Sequence, residues 1–157
     1  MRQPHLLRVE EGPERFAPLL AALAAAGLRA GWLELRRPGP VADSLEAAAA
    51  LGARRAVAVG AGRSLALKPL RGEPVLRDLL REHFPGCTLV LVLAPAPDAT
   101  AAADAPLREL PALFPAGGTW RLAASGDAAA RLLDTASLVA LLRRPRPWGS
   151  APPPQPA

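Results

Sequence analysis

At 157 residues, half of them hydrophobic, the chain has the length of one ordinary domain, and a chain of that size buries roughly 70% of its unfolded surface. Aromatics make up 4% and tyrosine is absent, so the core must come from Leu, Val and Ala, with Phe16, Trp32, Phe84, Phe114 and Trp120 as its large pieces. The net charge of +5 is spread over arginine pairs at Arg36–Arg37, Arg54–Arg55 and Arg143–Arg144 with no interleaved aromatics, which argues against a nucleic-acid face.

Leu6–Val9 reads as a first strand, broken by Gly12-Pro13-Glu14. Phe16, Leu19, Leu20 and Leu23 then recur at helical spacing, and Gly27 stands where a glycine closes a helix. Pro18 is tolerable only near that helix start. Leu28–Leu35 is a second strand, and Pro38, Gly39 and Pro40 make Arg36–Ala42 a loop. Asp43-Ser44-Leu45-Glu46 has the form of a helix cap with an acidic residue three positions on, and that helix runs through alanines to Leu51 and Gly52. Ala56–Val59 and Leu65–Lys68 are short strands on either side of Gly60-Ala61-Gly62. Pro74 opens a helix whose buried face is Val75, Leu76, Leu79 and Leu80, ended by Pro85-Gly86.

Thr88–Leu93 is the most apolar run, and a Leu/Val run between breakers predicts a central parallel strand buried on both faces. A short helix is expected around Leu107–Leu113, a late strand at Thr119–Ala124, and a last helix over Ser137–Arg144 that begins after Asp134. From Pro145 the Pro-rich polar composition predicts an extended, disordered tail over 145–157. Strands alternating with helices predict an α/β fold over residues 1–144: a single three-layer domain, a parallel sheet with helices on both faces.

The chemistry-bearing motifs are mostly missing. A phosphate-binding loop needs glycine-rich backbone, a lysine and a hydroxyl. Its place after the first strand reads Val9-Glu10-Glu11-Gly12-Pro13-Glu14-Arg15, with one glycine, three carboxylates and no lysine; Lys68 is the only lysine in the chain. Gly60-Ala61-Gly62-Arg63-Ser64 lacks the third glycine of a dinucleotide loop, so it reads as a tight turn. His83 and Cys87 are too few for a metal site, which takes at least three protein ligands. Ser44, Ser64 and Ser125 lie in no nucleophile-elbow sequence. With no intact P-loop, metal site or triad, no catalytic residues and no cofactor are assigned, and P-loop or metal-centred catalysis by this chain alone is not expected.

Two surfaces remain. Asp43 and Ser44 at a helix N-terminus, with Arg36 and Arg37 before them, could hold an anion such as a phosphorylated or pterin ligand. Arg143, Arg144 and Arg146 with Trp148 could dock an acidic partner, although helix C-termini favour arginine on electrostatic grounds alone. Ala17–Ala26 is too short for the roughly 20 residues that span a bilayer. Cys87 is the lone cysteine and no signal-like segment opens the chain, so a cytoplasmic, membrane-free setting is expected.

The order of these pieces resembles the molybdopterin-guanine dinucleotide biosynthesis protein B family, the P-loop GTP-binding accessory proteins of molybdenum cofactor maturation. The matching phrases are Ala26-Gly27-Leu28-Arg29, Asp43-Ser44, Gly52-Ala53, Ser64-Leu65-Ala66-Leu67, Leu89-Val90-Leu91-Val92, and Leu132-Leu133-Asp134 followed by Leu138–Leu142. The family's P-loop falls at Val9–Arg15, its histidine-bearing segment at Glu34-Leu35-Arg36-Arg37, and its acidic residue and glycine at Leu93 and Ala94. The resemblance thus implies a P-loop-NTPase-like scaffold whose nucleotide site is lost. It implies a non-catalytic adaptor with a guanylyltransferase or molybdoenzyme partner, and allows a homodimer. The alternatives are a small phosphate- or pterin-binding protein and an interaction domain unconnected with molybdenum.

Overall fold

A computed structural model describes residues 4–35, 47, 48, 50, 51, 56–60, 63–67, 75–94, 105–123 and 130–145. In chain order it contains β1 (His5–Val9), a 3-10 turn (Pro13–Phe16), α1 (Ala17–Ala25), β2 (Ala30–Glu34), β3 (Ala56–Gly60), β4 (Arg63–Leu67), α2 (Leu76–His83), β5 (Leu89–Leu93), α3 (Ala105–Arg108), β6 (Ala112–Ala116), β7 (Thr119–Ala123), β8 (Arg131–Leu133) and α4 (Thr135–Leu142). The chain divides into two compact units, Met1–Leu35 with Glu82–Ala157, and Arg36–Arg81.

The larger unit is built on a six-stranded sheet in the order β2-β5-β1-β6-β7-β8. The first four strands are parallel, with β5 in full register against both β1 and β2. Leu89, Val90, Leu91 and Val92 of β5 are fully buried, the two-sided burial that a continuous apolar run requires. The sheet is not parallel throughout, as alternating strands and helices had predicted. Gly117 and Gly118 both take positive φ, +54° and +87°, and such a two-residue turn folds β7 back antiparallel on β6. β8 then pairs antiparallel with β7.

The expected helix at Leu107–Leu113 also gives way: α3 stops at Arg108 and β6 begins at Ala112. Pro111 forbids the helix to continue, while its carbonyl accepts from the Arg8 N–H at 2.9 Å and starts the pairing with β1. Burying Ala112 and Leu113 in the sheet outweighs their helical preference.

One face of the sheet carries α1 and α4. Leu7, Val9, Leu89, Leu91, Leu113, Trp120 and Leu122 point from the strands into a core closed by Phe16, Leu19, Leu23, Leu138 and Leu142. Each leucine so buried contributes about 2 kcal/mol. Phe16 stacks on Trp120 (centroids 5.6 Å apart) and meets Trp32 at a tilt (5.9 Å). Phe16 and Trp120 are the large aromatics in the core; Trp32, Phe84 and Phe114 are only half-buried.

α1 ends as its sequence requires. Gly27 has φ +71°, Leu28 N–H donates to the Leu23 carbonyl and Gly27 N–H to that of Ala24, a Schellman close. Arg143 at the end of α4 donates from Nη2 to the Ala26 carbonyl at 3.3 Å.

In the smaller unit β3 and β4 pair antiparallel with Gly60 opposite Arg63. Ala47, Ala48 and Ala50 are helical, and Leu51 N–H donates to the Ala47 carbonyl. The buried face expected of α2 is not realised: Val75 is exposed, and Leu76, Leu79 and Leu80 are half-buried. No helix among the described residues is long and apolar enough to cross a membrane. The Pro-rich segment beyond Pro145 lies outside the described residues.

On the second face of the sheet Gly31 packs beneath Phe84. A Cβ at Gly31 would stand 2.5 and 2.8 Å from the Phe84 ring. Gly31→Ala is therefore expected to destabilise the fold by about 1–3 kcal/mol in urea unfolding, despite the roughly 0.4–1 kcal/mol a Gly→Ala change can gain through the unfolded chain. Phe84→Leu in the same background should recover part of that loss; strictly additive effects would show that the two side chains do not meet.

Candidate functional site

In an open α/β sheet, ligands bind beyond the carboxyl ends of the strands where successive connections run in opposite directions. Here the chain leaves β1 through α1 to reach β2 on one side, while the chain after β5 reaches β6 on the other. The loop after β1 opens at that point. It is held by Ala94 N–H donating to the Val9 carbonyl at 3.2 Å.

The loop's chemistry is that of paired charges. Glu10 accepts from Arg8 Nη1, and Glu11 accepts from Arg15 Nε at 2.8 Å. Arg15, the one cation this stretch could have offered to a phosphate, is thus engaged within the loop. The Glu14 carboxylate folds back over Gly12, with Oε2 at 2.7 Å from the position of a Cβ there. The helix start supplies few donors as well, because Pro13 and Pro18 occupy its first positions and have no N–H.

Beside the loop, at the carboxyl end of β6, lies a cleft of about 220 Å³ lined by Arg15, Pro18, the β6–β7 turn, Trp120 and Thr135. Trp120 Nε1 donates to Thr135 Oγ1 at 2.9 Å, and Thr119 Oγ1 donates to the Ala116 carbonyl at 2.6 Å. Trp120 is also held by its stack on Phe16. None of its lining side chains is a His, Cys, Asp or Glu. The cleft can enclose a small group but offers no residue suited to proton transfer near neutral pH.

The four ligand residues expected from the sequence, Arg36, Arg37, Asp43 and Ser44, lie outside the described residues. So do Arg146 and Trp148 of the basic cluster, while Arg143 closes α1. His83 is exposed at the end of α2 and Cys87 is half-buried. Among the described residues no group of three His, Cys, Asp or Glu side chains is placed to hold a metal ion. Ser64 is exposed on β4.

Sequence reasoning missed the cleft because it missed β6. The Gly117-Gly118 pair between Leu113-Phe114 and Thr119-Trp120 was the available signal, since a Gly-Gly pair between apolar runs marks a two-residue hairpin. The Trp120–Thr135 bond had no local signal.

Asp134 caps α4, its Oδ1 accepting from Ser137 N–H at 2.6 Å. No family model matches this chain, and no curated protein matches it.

Two outcomes follow from this geometry. Titration of the full chain with magnesium–GTP should give no saturable heat; saturable binding that is lost in Arg15→Ala would show that the loop still holds phosphate. The bond from the Ser137 N–H, then that from its hydroxyl, holds the Asp134 carboxyl below its ordinary value of 3.8. A carboxyl depressed on folding stabilises the fold above its unfolded pKa, and that contribution fades as pH falls through the folded value. The melting-temperature gap between the parent chain and Asp134→Ala should therefore be constant at neutral pH and narrow below the ordinary carboxylate range. A gap unchanged at acid pH would mean the cap acts without its charge.

Proposed function

We propose that this chain is a non-catalytic relative of the molybdopterin-guanine dinucleotide biosynthesis protein B family, an accessory or adaptor protein of molybdenum cofactor biosynthesis on a P-loop-NTPase-like scaffold. The observation that carries the reading is the loop after β1. It stands at the switch point of an open α/β sheet, where such a scaffold holds phosphate, yet Glu14 fills the space above Gly12 and Arg15 is spent on Glu11. A scaffold that keeps this loop and blocks it has lost nucleotide chemistry without losing its outer surfaces, and function resides in such sites rather than in the fold.

The phrases behind the resemblance support the same reading by their places in the fold. Ala26-Gly27-Leu28-Arg29 joins α1 to β2, Leu89-Val90-Leu91-Val92 lies in the centre of the parallel strands, and Leu132-Leu133-Asp134 leads into α4. The partner expected of such a protein is the cofactor guanylyltransferase or a molybdoenzyme, met in the cytoplasm, with self-association as a second mode of assembly.

An affinity pull-down of the full chain from its native lysate, read by mass spectrometry, tests this. The guanylyltransferase or molybdoenzymes should be enriched over a control bait. Enrichment of other proteins with neither of these present would remove the molybdenum connection and leave an interaction domain of another pathway.

A further inference from the structure

β8 is the last strand of the sheet in the order observed, so among the described residues its outer edge has no strand beside it. Edges of this kind are templates for pairing with another chain. Beside this edge, on the face opposite α1 and α4, the cross-strand register sets Phe114, Arg121 and Leu132 in a row over β6, β7 and β8. Arg121 is held 4.5 Å above the Phe114 ring, and Leu132 at the outer end is 67% exposed. Arg121 and the exposed Arg131 make no ion pair among the described residues.

Arg131, opposite Leu122 in the register, stands on the other face of β8 from Leu132. We propose that this edge docks an extended acidic segment of a partner protein, which pairs with β8, sets an apolar side chain beside Leu132 on one face and brings a carboxylate to Arg131 on the other. Main-chain pairing would supply affinity and the alternating side chains specificity. A second copy of this chain is the poorer occupant, because pairing β8 with its own image brings arginine towards arginine, and like charges across an interface are costly. The shortness of β8 and the charge of Arg131 guard the edge against such self-pairing, yet neither repels an acidic strand. The inference rests on the adaptor reading only in requiring a docked partner, and it holds whichever acidic protein that is.

The test uses the purified full chain with a capped peptide alternating glutamate and valine, and its lysine–valine counterpart as control. In NMR titration the acidic peptide should shift the amides of Arg131–Leu133 and β7, more weakly as salt is raised. The control should not bind. Arg131→Glu should weaken the acidic peptide at least about tenfold, and Arg131→Lys should retain it. Shifts elsewhere on the fold, equal binding of both peptides, or dimerisation through β8 without peptide would each overturn the proposal. A negative peptide result leaves the molybdenum reading standing, whereas a pull-down without molybdenum proteins leaves peptide binding at β8 intact.

Discussion

The fold depends on where one ring sits. Phe16 ends the 3-10 turn and adjoins the first residue of α1, and it reaches Trp120 on β7 on one side and Trp32 on β2 on the other. Those strands lie near opposite ends of the sheet. A core otherwise made of leucine, valine and alanine has few side chains long enough to link them. Aromatic pairs of this kind add about 0.5–1.5 kcal/mol beyond the area they bury. Their position matters more than the sum: Phe16 fixes the start of α1 over the sheet, and the loop from Glu10 to Arg15 has to turn tightly to deliver it.

That constraint links packing to electrostatics. A loop short enough to place Phe16 is also crowded with Glu10, Glu11 and Glu14, and Arg8 and Arg15 balance two of the three. Exposed pairs like Arg15–Glu11 contribute little to stability. Their consequence is local, for they leave no spare positive charge at the point where parallel α/β sheets usually gather one. The two prolines at the helix start remove N–H donors from the same place. Paired charges and missing N–H donors thus coincide in one loop.

The same sheet that blocks its usual site exposes a different surface. Antiparallel addition of β7 and β8 moves the sheet's end away from the parallel strands and leaves it with a short basic edge and an exposed leucine. Parallel strands need crossovers that cover both faces, whereas a hairpin needs only a two-residue turn. Gly117 and Gly118 therefore decide that the sheet continues past β6 to β7 and β8.

Much of this was legible in the residues. The segments Leu6–Val9, Leu28–Leu35 and Thr88–Leu93 each hold a strand, as short Leu- and Val-containing stretches between chain breakers predict. Gly27 and Asp134 terminate and start their helices because glycine takes φ near +71° without steric cost and a short carboxylate accepts from the first free N–H groups. The misreadings fell where local and long-range terms compete. Leu113 is a good helix former by itself, and only the neighbouring β1 and β7 make it a strand residue. Of the site, the sequence by itself determined the carboxylates and the missing lysine. Arg15 and Glu11, four apart, and Glu14 and Gly12, two apart, lie within local reach of one another, whereas only the tertiary structure decided that Trp120 meets Thr135 and Phe16. Charge and chain breaks are written residue by residue, while the Trp120 contacts depend on which strand lies beside which, and no local pattern carries that order.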